Sequence, residues 1–272
     1  MIKPTPHSAA RPSGSRLQAL VFDVDGTLAD TEEIHRQAFN ATFKDRGLDW
    51  CWSPAEYRRL LAISGGRERM TRYAAEHPPA NHEHGLSAAE IAEIHRLKTA
   101  RYAALLEAGR VPLRQGVARL LREAQDNGLR LAIATSSALS NLETLLDLNL
   151  APDWRSWFEV VESSDTTVEK KPSPAVYQAA LRRLGLDATA CIAVEDTLNG
   201  LLAARAAGLC TVITTHRYTR EDDFPGAALV VEGLGEPDSP PPVRQGSLNA
   251  ETCVNLAVLR GLLAQATTAE RR

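Results

Sequence analysis

The sequence predicts an α/β protein: a doubly wound parallel sheet with a helical cap domain inserted after its first strand. Three observations predict it. Short apolar runs at 17–22, 129–134, 158–161, 191–194, 210–214 and 228–231 alternate with stretches of helical periodicity, the pattern of a parallel sheet built from β-α repeats. From about Thr31 to Leu106 the chain is polar, helical in pattern and without a strand-like run, which marks an insertion. Carboxylates also gather where strands end, at Asp23 and Asp25 after the first run and at Glu195-Asp196 after the fourth. In a doubly wound sheet the ligand site lies at the carboxyl ends of the strands.

Taken in chain order, residues 1–16 are rich in Pro, Ser and basic residues without an apolar signal core, and read as a disordered extension. Residues 17–30 and 107–236 form the core, with 31–106 as the cap. Asp30 and Glu33 have the spacing of a capping box for the first cap helix. Glu32 and His35, three apart, share one face of it. Ser64-Gly65-Gly66-Arg67-Glu68-Arg69 places two glycines before an arginine-bearing helix start, which suits an anionic group or a plain turn; both readings stay open. Lys98 and Arg101 sit on a later cap helix. His82-Glu83-His84 lies in a polar loop beside Pro78-Pro79 and is not assigned a metal.

In the core, Ser173 suits an N-cap and Pro174 the first helical position, which puts Lys171 just ahead of a helix. Residues 237–272 read as a stiff Pro-rich linker and a C-terminal helix whose Leu256, Leu259, Leu262 and Leu263 recur at helical spacing.

Composition narrows the function. The 272 residues suffice for a large core plus a small second domain, and 44% hydrophobic with 24% charged residues is ordinary for a globular chain. A net charge of -3 offers no basic face for nucleic acid. No apolar run approaches the ~20 residues that cross a bilayer. Cys51, Cys191, Cys210 and Cys253 are scattered without metal spacing, and Cys191 and Cys210, in apolar runs, read as buried thiols of a reducing cytosol rather than as disulfides. A cytoplasmic monomer is the expectation.

The chemistry concentrates in Asp23-Val24-Asp25-Gly26-Thr27. Residues two apart on an extended strand share a face, so both carboxylates can aim at one spot, and Gly26 permits the turn that follows. Clustered carboxylates repel and call for a cation or a proton. Thr135-Ser136-Ser137, closing the second strand-like run, offers hydroxyl and N–H donors for phosphate oxygens.

This five-residue stretch resembles the first motif of the haloacid dehalogenase superfamily of phosphotransferases, and Thr135, Lys171 and Glu195-Asp196 follow in that superfamily's order. A narrower resemblance is to the CbbY group, phosphatases associated with Rubisco operons, which remove the 1-phosphate of xylulose-1,5-bisphosphate, a Rubisco inhibitor. It rests on Thr31-Glu32-Glu33-Ile34-His35-Arg36, Trp50-Cys51-Trp52, Glu56-Tyr57-Arg58, Gly65-Gly66-Arg67-Glu68-Arg69, His95-Arg96 with Lys98-Thr99, and Glu169-Lys170-Lys171-Pro172-Ser173-Pro174, within about residues 17–232.

The resemblance implies a Mg2+-dependent phosphatase acting on a small phosphorylated sugar. Asp23 would be the nucleophile and Asp25 the general acid and base, with Thr135 and Lys171 offsetting charge. Asp23, Asp25, Asp196 and Glu195 would serve the metal, Glu195 as ligand or as anchor. Glu32, His35, Tyr57, Gly65, Gly66, Arg67, Arg69, Lys98 and Ser136 would face substrate. Arg67 stands where the group has lysine, and Ser136-Ser137 where it prefers threonines. The alternatives are a β-phosphoglucomutase-like mutase, whose cap pattern His35, Arg67 and Lys98 also fit, another sugar-phosphate phosphatase, or a non-catalytic binding protein, against which the full set of acids speaks.

Overall fold

In the computed structural model the described residues are 16–80, 82, 85–109, 111–248 and 252–269. The N-terminal extension, but for Arg16, and Glu83 and His84 of the His-Glu-His cluster lie outside them. The elements run β1 (Ala19–Phe22), α1 (Glu32–Asp45), α2 (Pro54–Leu60), α3 (Gly66–Glu76), α4 (Ala88–Gly109), α5 (Val117–Asp126), β2 (Arg130–Ala134) and α6 (Leu139–Asn149). They continue with β3 (Phe158–Glu162), α7 (Ala175–Leu184), β4 (Cys191–Glu195), α8 (Leu198–Ala206), β5 (Cys210–Thr214), β6 (Leu229–Val231), β7 (Val243–Gln245) and α9 (Leu256–Ala269).

The sheet among the described residues has the order β3-β2-β1-β4-β5-β6-β7, parallel throughout except for the last pair. The order reverses at β1, which places Asp23 at the switch point where such sheets bind ligands. Side-chain alternation divides the core in two. Leu20, Phe22, Leu131, Ile133, Ile192 and Val194 pack on one face with α5 and α9, and Leu256, Leu259, Leu262 and Leu263 are buried there. Ala19, Val21, Ala132, Ala134 and Ala193 face the other way, and their small side chains let α7 and α8 lie close to the sheet.

Helices α1–α4 follow β1 and enclose a separate cluster built on Phe39, Phe43, Trp50, Trp52, Tyr57, Met70 and Tyr73. Phe43 and Tyr73 meet the two tryptophans edge to face at ring separations of 4.9–5.3 Å. Tyr218, from the β5–β6 loop of the core, joins this cluster.

Three local readings are corrected. No capping box opens α1: Thr31 is the cap, without a side-chain cap bond, and Glu33 turns to Arg36, Gln37 and Tyr218. Helix α7 begins at Ala175, one residue later than expected, while the Ser173 hydroxyl still accepts the Ala175 N–H at 3.3 Å. The stretch after Pro242 is not all linker, because Val243–Gln245 adds an antiparallel edge strand to β6.

Candidate active site

The site is assembled from strand ends, as the alternation of the sequence requires. Asp23 leaves β1, Thr135 leaves β2, Glu195 ends β4 and Asp196 follows it, while Lys171 arrives from the loop before α7. Lys171 is 5% exposed, and its ammonium meets Asp23 Oδ1 at 2.5 Å, Glu195 Oε1 at 2.5 Å and the Ala134 carbonyl at 2.9 Å. Three N–H donors thus meet three acceptors, which leaves the charge no freedom to swing away. Burial alone would lower the Lys171 pKa, but Asp23 and Glu195 outweigh it and hold the group protonated. Burial pushes Asp23 upward; Lys171 pulls it down, Glu195 and Asp196 add to the rise, and the net direction is up.

Glu195 is tied on every side. Its Oε1 also accepts the Tyr177 hydroxyl at 2.6 Å, and its Oε2 accepts the Asp196 N–H at 3.2 Å. Asp196 accepts the Thr27 hydroxyl at 3.2 Å on Oδ1 and faces His216 Nε2 at 2.9 Å on Oδ2. Burial pushes its pKa up to about 6 against the pull of His216. Asp23, Glu195 and Asp196 are all buried and each offers an oxygen within 4.8 Å of the others. An all-oxygen set of this charge suits a hard divalent cation.

Asp25 belongs to a different network. Its Oδ1 accepts the Thr31 hydroxyl at 2.6 Å, faces His35 Nε2 at 3.0 Å and accepts the Tyr102 hydroxyl at 3.2 Å, while the Ser137 hydroxyl bonds its Oδ2. Burial would raise its pKa, but His35 and the hydroxyls of Ser137 and Thr31 prevail and hold it below the ordinary carboxylate range. Two aspartates two residues apart therefore differ in proton affinity: at Asp23 burial, joined by Glu195 and Asp196, outweighs Lys171, whereas at Asp25 His35 and the hydroxyls outweigh burial.

A cleft of about 750 Å3 joins core and cap over these groups. Asp23, Asp25, Glu32, His35, Gly65, Gly66, Arg67, Arg69, Lys98, Thr135, Ser136, Lys171 and Asp196 all line it. Arg67 reaches into solvent with its side chain 62% exposed, near Glu68 at 3.8 Å. The Gly65-Gly66 pair is a packing necessity: a Cβ on Gly66 would stand 2.6 Å from His95 Nε2, and Gly65 has φ +90°.

Two expected substrate contacts sit differently. Tyr57 is fully buried behind Glu32, donating to Glu32 Oε2 at 2.6 Å, and does not line the cleft. Arg69 spends its guanidinium on the Leu60 carbonyl, the Ile63 carbonyl and the Tyr57 hydroxyl, pinning the turn between α2 and α3. The Ser137 hydroxyl, read as a phosphate donor, is committed to Asp25. Lys98 is no surface cation. It is 3% exposed and its Nζ lies 2.6 Å from His35 Nδ1.

Tyr102, Tyr177 and His216 were not singled out by the sequence, and Thr31 stood there only as part of a matched stretch, with no role. For His216 a signal existed, since Thr214-Thr215-His216 is a polar stretch at a strand's carboxyl end. The tyrosines carried none, because on a helix they read as core.

With this geometry in place, comparison with known proteins is direct. The family of haloacid dehalogenase-like hydrolases matches residues 17–208. The plasmid-borne protein CbbY of Cupriavidus necator is 47% identical over 255 residues, covering 92% of this chain and all of that one. CbbY of Rhodobacter capsulatus is 49% identical over 211 residues, 78% of this chain and 91% of its own. The crystal structure of CbbY from Rhodobacter sphaeroides in complex with phosphate superposes with a TM-score of 0.74 at 43% identity, covering 82% of this chain and 96% of that one. A mutant of that protein in complex with xylulose-1,5-bisphosphate gives 0.75 at the same identity and coverage. β-Phosphoglucomutase from Clostridium difficile, at 18% identity and a TM-score of 0.70, shares the fold. The buried acid cluster of Asp23, Glu195 and Asp196 stands within the matched span, and this chain belongs to the haloacid dehalogenase-like hydrolases, as a phosphatase of the CbbY type.

Proposed function

We propose that this phosphatase removes the 1-phosphate of xylulose-1,5-bisphosphate and so protects Rubisco from that inhibitor, as a cytoplasmic monomer. The observation that carries the reading is one cleft in which Lys171 sits beside Asp23 while Arg67 is presented from the cap, two separate cations for a substrate with two phosphates. The 43% identical CbbY bound to that sugar supports the choice of substrate. Among the described residues no helix is long and apolar enough to cross a membrane.

Asp23 attacks phosphorus in line, forming a P–O bond to its carboxylate as the bond to the sugar oxygen breaks. Asp25 delivers the proton that the leaving oxygen needs. It is ionised in the free cleft and takes up that proton from solvent as substrate binds, because a phosphate dianion beside it raises its proton affinity by like-charge repulsion. After the sugar leaves, Asp25 takes a proton from water, the water oxygen attacks phosphorus, and the bond to Asp23 breaks. Lys171 and Thr135 offset charge on the transferring group. Asp23, Asp196 and the Asp25 backbone carbonyl would hold Mg2+, with Glu195 as the anchor, since Lys171, Tyr177 and the Asp196 N–H already occupy it. When bound, Mg2+ supplies Lewis-acid stabilisation of the phosphoryl oxygens and cancels carboxylate repulsion.

The test is phosphate release with Mg2+ from xylulose-1,5-bisphosphate, against ribulose-1,5-bisphosphate, fructose-1,6-bisphosphate, phosphoglycolate and β-glucose 1-phosphate. Strong preference for the xylulose compound is expected. Equal release from all would sink the substrate assignment, and glucose 6-phosphate formation would favour a mutase.

A further inference from the structure

His216 lies in the loop after β5, with its side chain 2% exposed. Two contacts fix its ring. Nδ1 accepts the Tyr218 backbone N–H at 3.4 Å, so the ring proton sits on Nε2. Nε2 then donates to Asp196 Oδ2 at 2.9 Å, an oxygen of the carboxylate that closes the acidic cluster. Asp30 Oδ1 is 3.8 Å from Nδ1, beyond hydrogen-bond reach.

The surroundings are shaped to keep that bond. A Cβ on Gly26 would stand 2.1 Å from Asp196 Oδ2 and 2.8 Å from His216 Nε2, so the turn after Asp25 closes over the pair only because residue 26 has no side chain. The loop is braced on itself: the His216 N–H reaches Thr219 Oγ1 at 3.2 Å, and the His216 carbonyl accepts the N–H groups of Thr219 and Arg220 at 3.0 and 2.8 Å. It is braced on the cap as well. The Tyr218 hydroxyl bonds Glu33 of α1, and the Tyr218 ring meets Tyr57 edge to face at 5.5 Å.

We propose that His216 is a positioning residue for Asp196, holding that carboxylate in the orientation that receives Mg2+. The inference rests on the Mg2+ reading above. A hydrogen-bond donor behind a ligating carboxylate fixes its orientation, and loss of such a donor typically weakens metal affinity.

The test titrates Mg2+ alone into the full-length protein by calorimetry, comparing wild type, His216→Leu and His216→Gln. Leucine keeps bulk without a donor, whereas the glutamine amide can reach the oxygen that Nε2 served. His216→Leu is expected to bind Mg2+ about 10- to 100-fold more weakly, with His216→Gln close to wild type. At saturating Mg2+ the leucine variant should recover its kcat, with KM for the sugar phosphate unchanged. Mg2+ affinity in His216→Leu within about twofold of wild type would overturn the inference, as would equal loss in both variants at unchanged melting temperature. Should His216→Leu not fold, His216→Asn, whose amide is too short to reach Asp196, takes its place with the same readings. A wild-type protein that takes up no Mg2+ overturns the metal reading itself, and this inference with it.

Discussion

Lys98 Nζ lies 2.6 Å from His35 Nδ1, and that contact decides which proton His35 shows to Asp25. Charged or neutral, the lysine donates, so Nδ1 accepts and Nε2 carries the ring hydrogen toward Asp25 Oδ1 at 3.0 Å. The opposite arrangement would aim a bare nitrogen lone pair at a carboxylate. Burial first, and Lys98 second, depress the His35 pKa, which keeps the ring neutral. A stacked Tyr102 ring at 3.9 Å holds it in plane. Cap helices α1 and α4 thereby set the electrostatics of a core aspartate.

Lys98→Met should therefore cost activity without touching the nucleophile. A drop in kcat/KM of roughly 10²-fold is expected, the lower end for a positioned acid–base group. The His35 pKa should move up toward its ordinary value while burial still holds it below, which NMR titration of the ring reads directly. An unchanged His35 titration would refute the coupling.

The same variant makes a stability prediction with a definite sign. Burial lowers the Lys98 pKa from an ordinary 10.5 to about 7. Between pH 7 and 10.5 the unfolded chain binds a proton that the folded chain does not, so wild-type stability rises with pH across that window. Below pH 7 both states are charged and the folded state bears the full burial cost. Lys98→Met should be more stable there by on the order of a few kcal/mol, since each tenfold change in proton affinity is worth about 1.4 kcal/mol. The advantage should shrink toward pH 10. Denaturant titrations across pH check this, and a constant difference would rule it out.

Gly200 lies in the first turn of α8, where alanine ordinarily stabilises a helix by roughly 0.5–1 kcal/mol. Here the sign should reverse. A Cβ at this position would stand 1.9–2.2 Å from the Glu195 carboxylate atoms. That carboxylate cannot yield, since Lys171, Tyr177 and the Asp196 N–H hold it. Gly200→Ala should destabilise by about 1–3 kcal/mol, the usual cost of overpacking, and lower kcat through the displaced Lys171. A more stable, fully active variant would show that α8 shifts freely.

How far the sequence disclosed this site follows from where each residue sits. Asp23, Thr135, Glu195 and Asp196 are at or next to strand ends, and a buried parallel strand announces its end through a short apolar run followed by polar residues. Six of the strands were legible for that reason, whereas Val243–Gln245 lies exposed at the sheet edge and has no apolar run. Helical residues were harder. Lys98 and Tyr57 lie on cap helices, where sequence alone cannot say whether a polar tip meets water, substrate or another side chain. The answer came from packing: Lys98 is buried over the Phe39 ring at 4.4 Å, and Tyr57 stands behind Glu32. Loop residues such as His216 needed the fold itself, because Asp196 is twenty positions away and is brought near by adjacent strands.

The cap meets the core through few bonds beside the glycine pair, and those bonds should govern substrate entry. Asn199 Nδ2, on α8, donates to the Ala62 carbonyl at 2.8 Å and to Ser64 Oγ at 3.2 Å, just before Gly65-Gly66-Arg67. Arg58 of α2 reaches Glu221 and Asp222 of the core, but its exposure leaves that pair screened by solvent. The Asn199 contacts are therefore the more telling target. Asn199→Ala removes bonds each worth about 0.5–1.5 kcal/mol net, enough to shift a local opening equilibrium by roughly 2- to 10-fold per bond. Hydrogen exchange at residues 64–69 should quicken in the free variant. A bound substrate would supply its own bridge between cap and core, so added substrate should restore protection in both proteins when Asp23→Asn blocks turnover. KM should rise while kcat stays near wild type, because Asn199 does not line the cleft. Identical exchange in the two free proteins, with no protection on adding substrate, would mean that the cap does not open and close over the site.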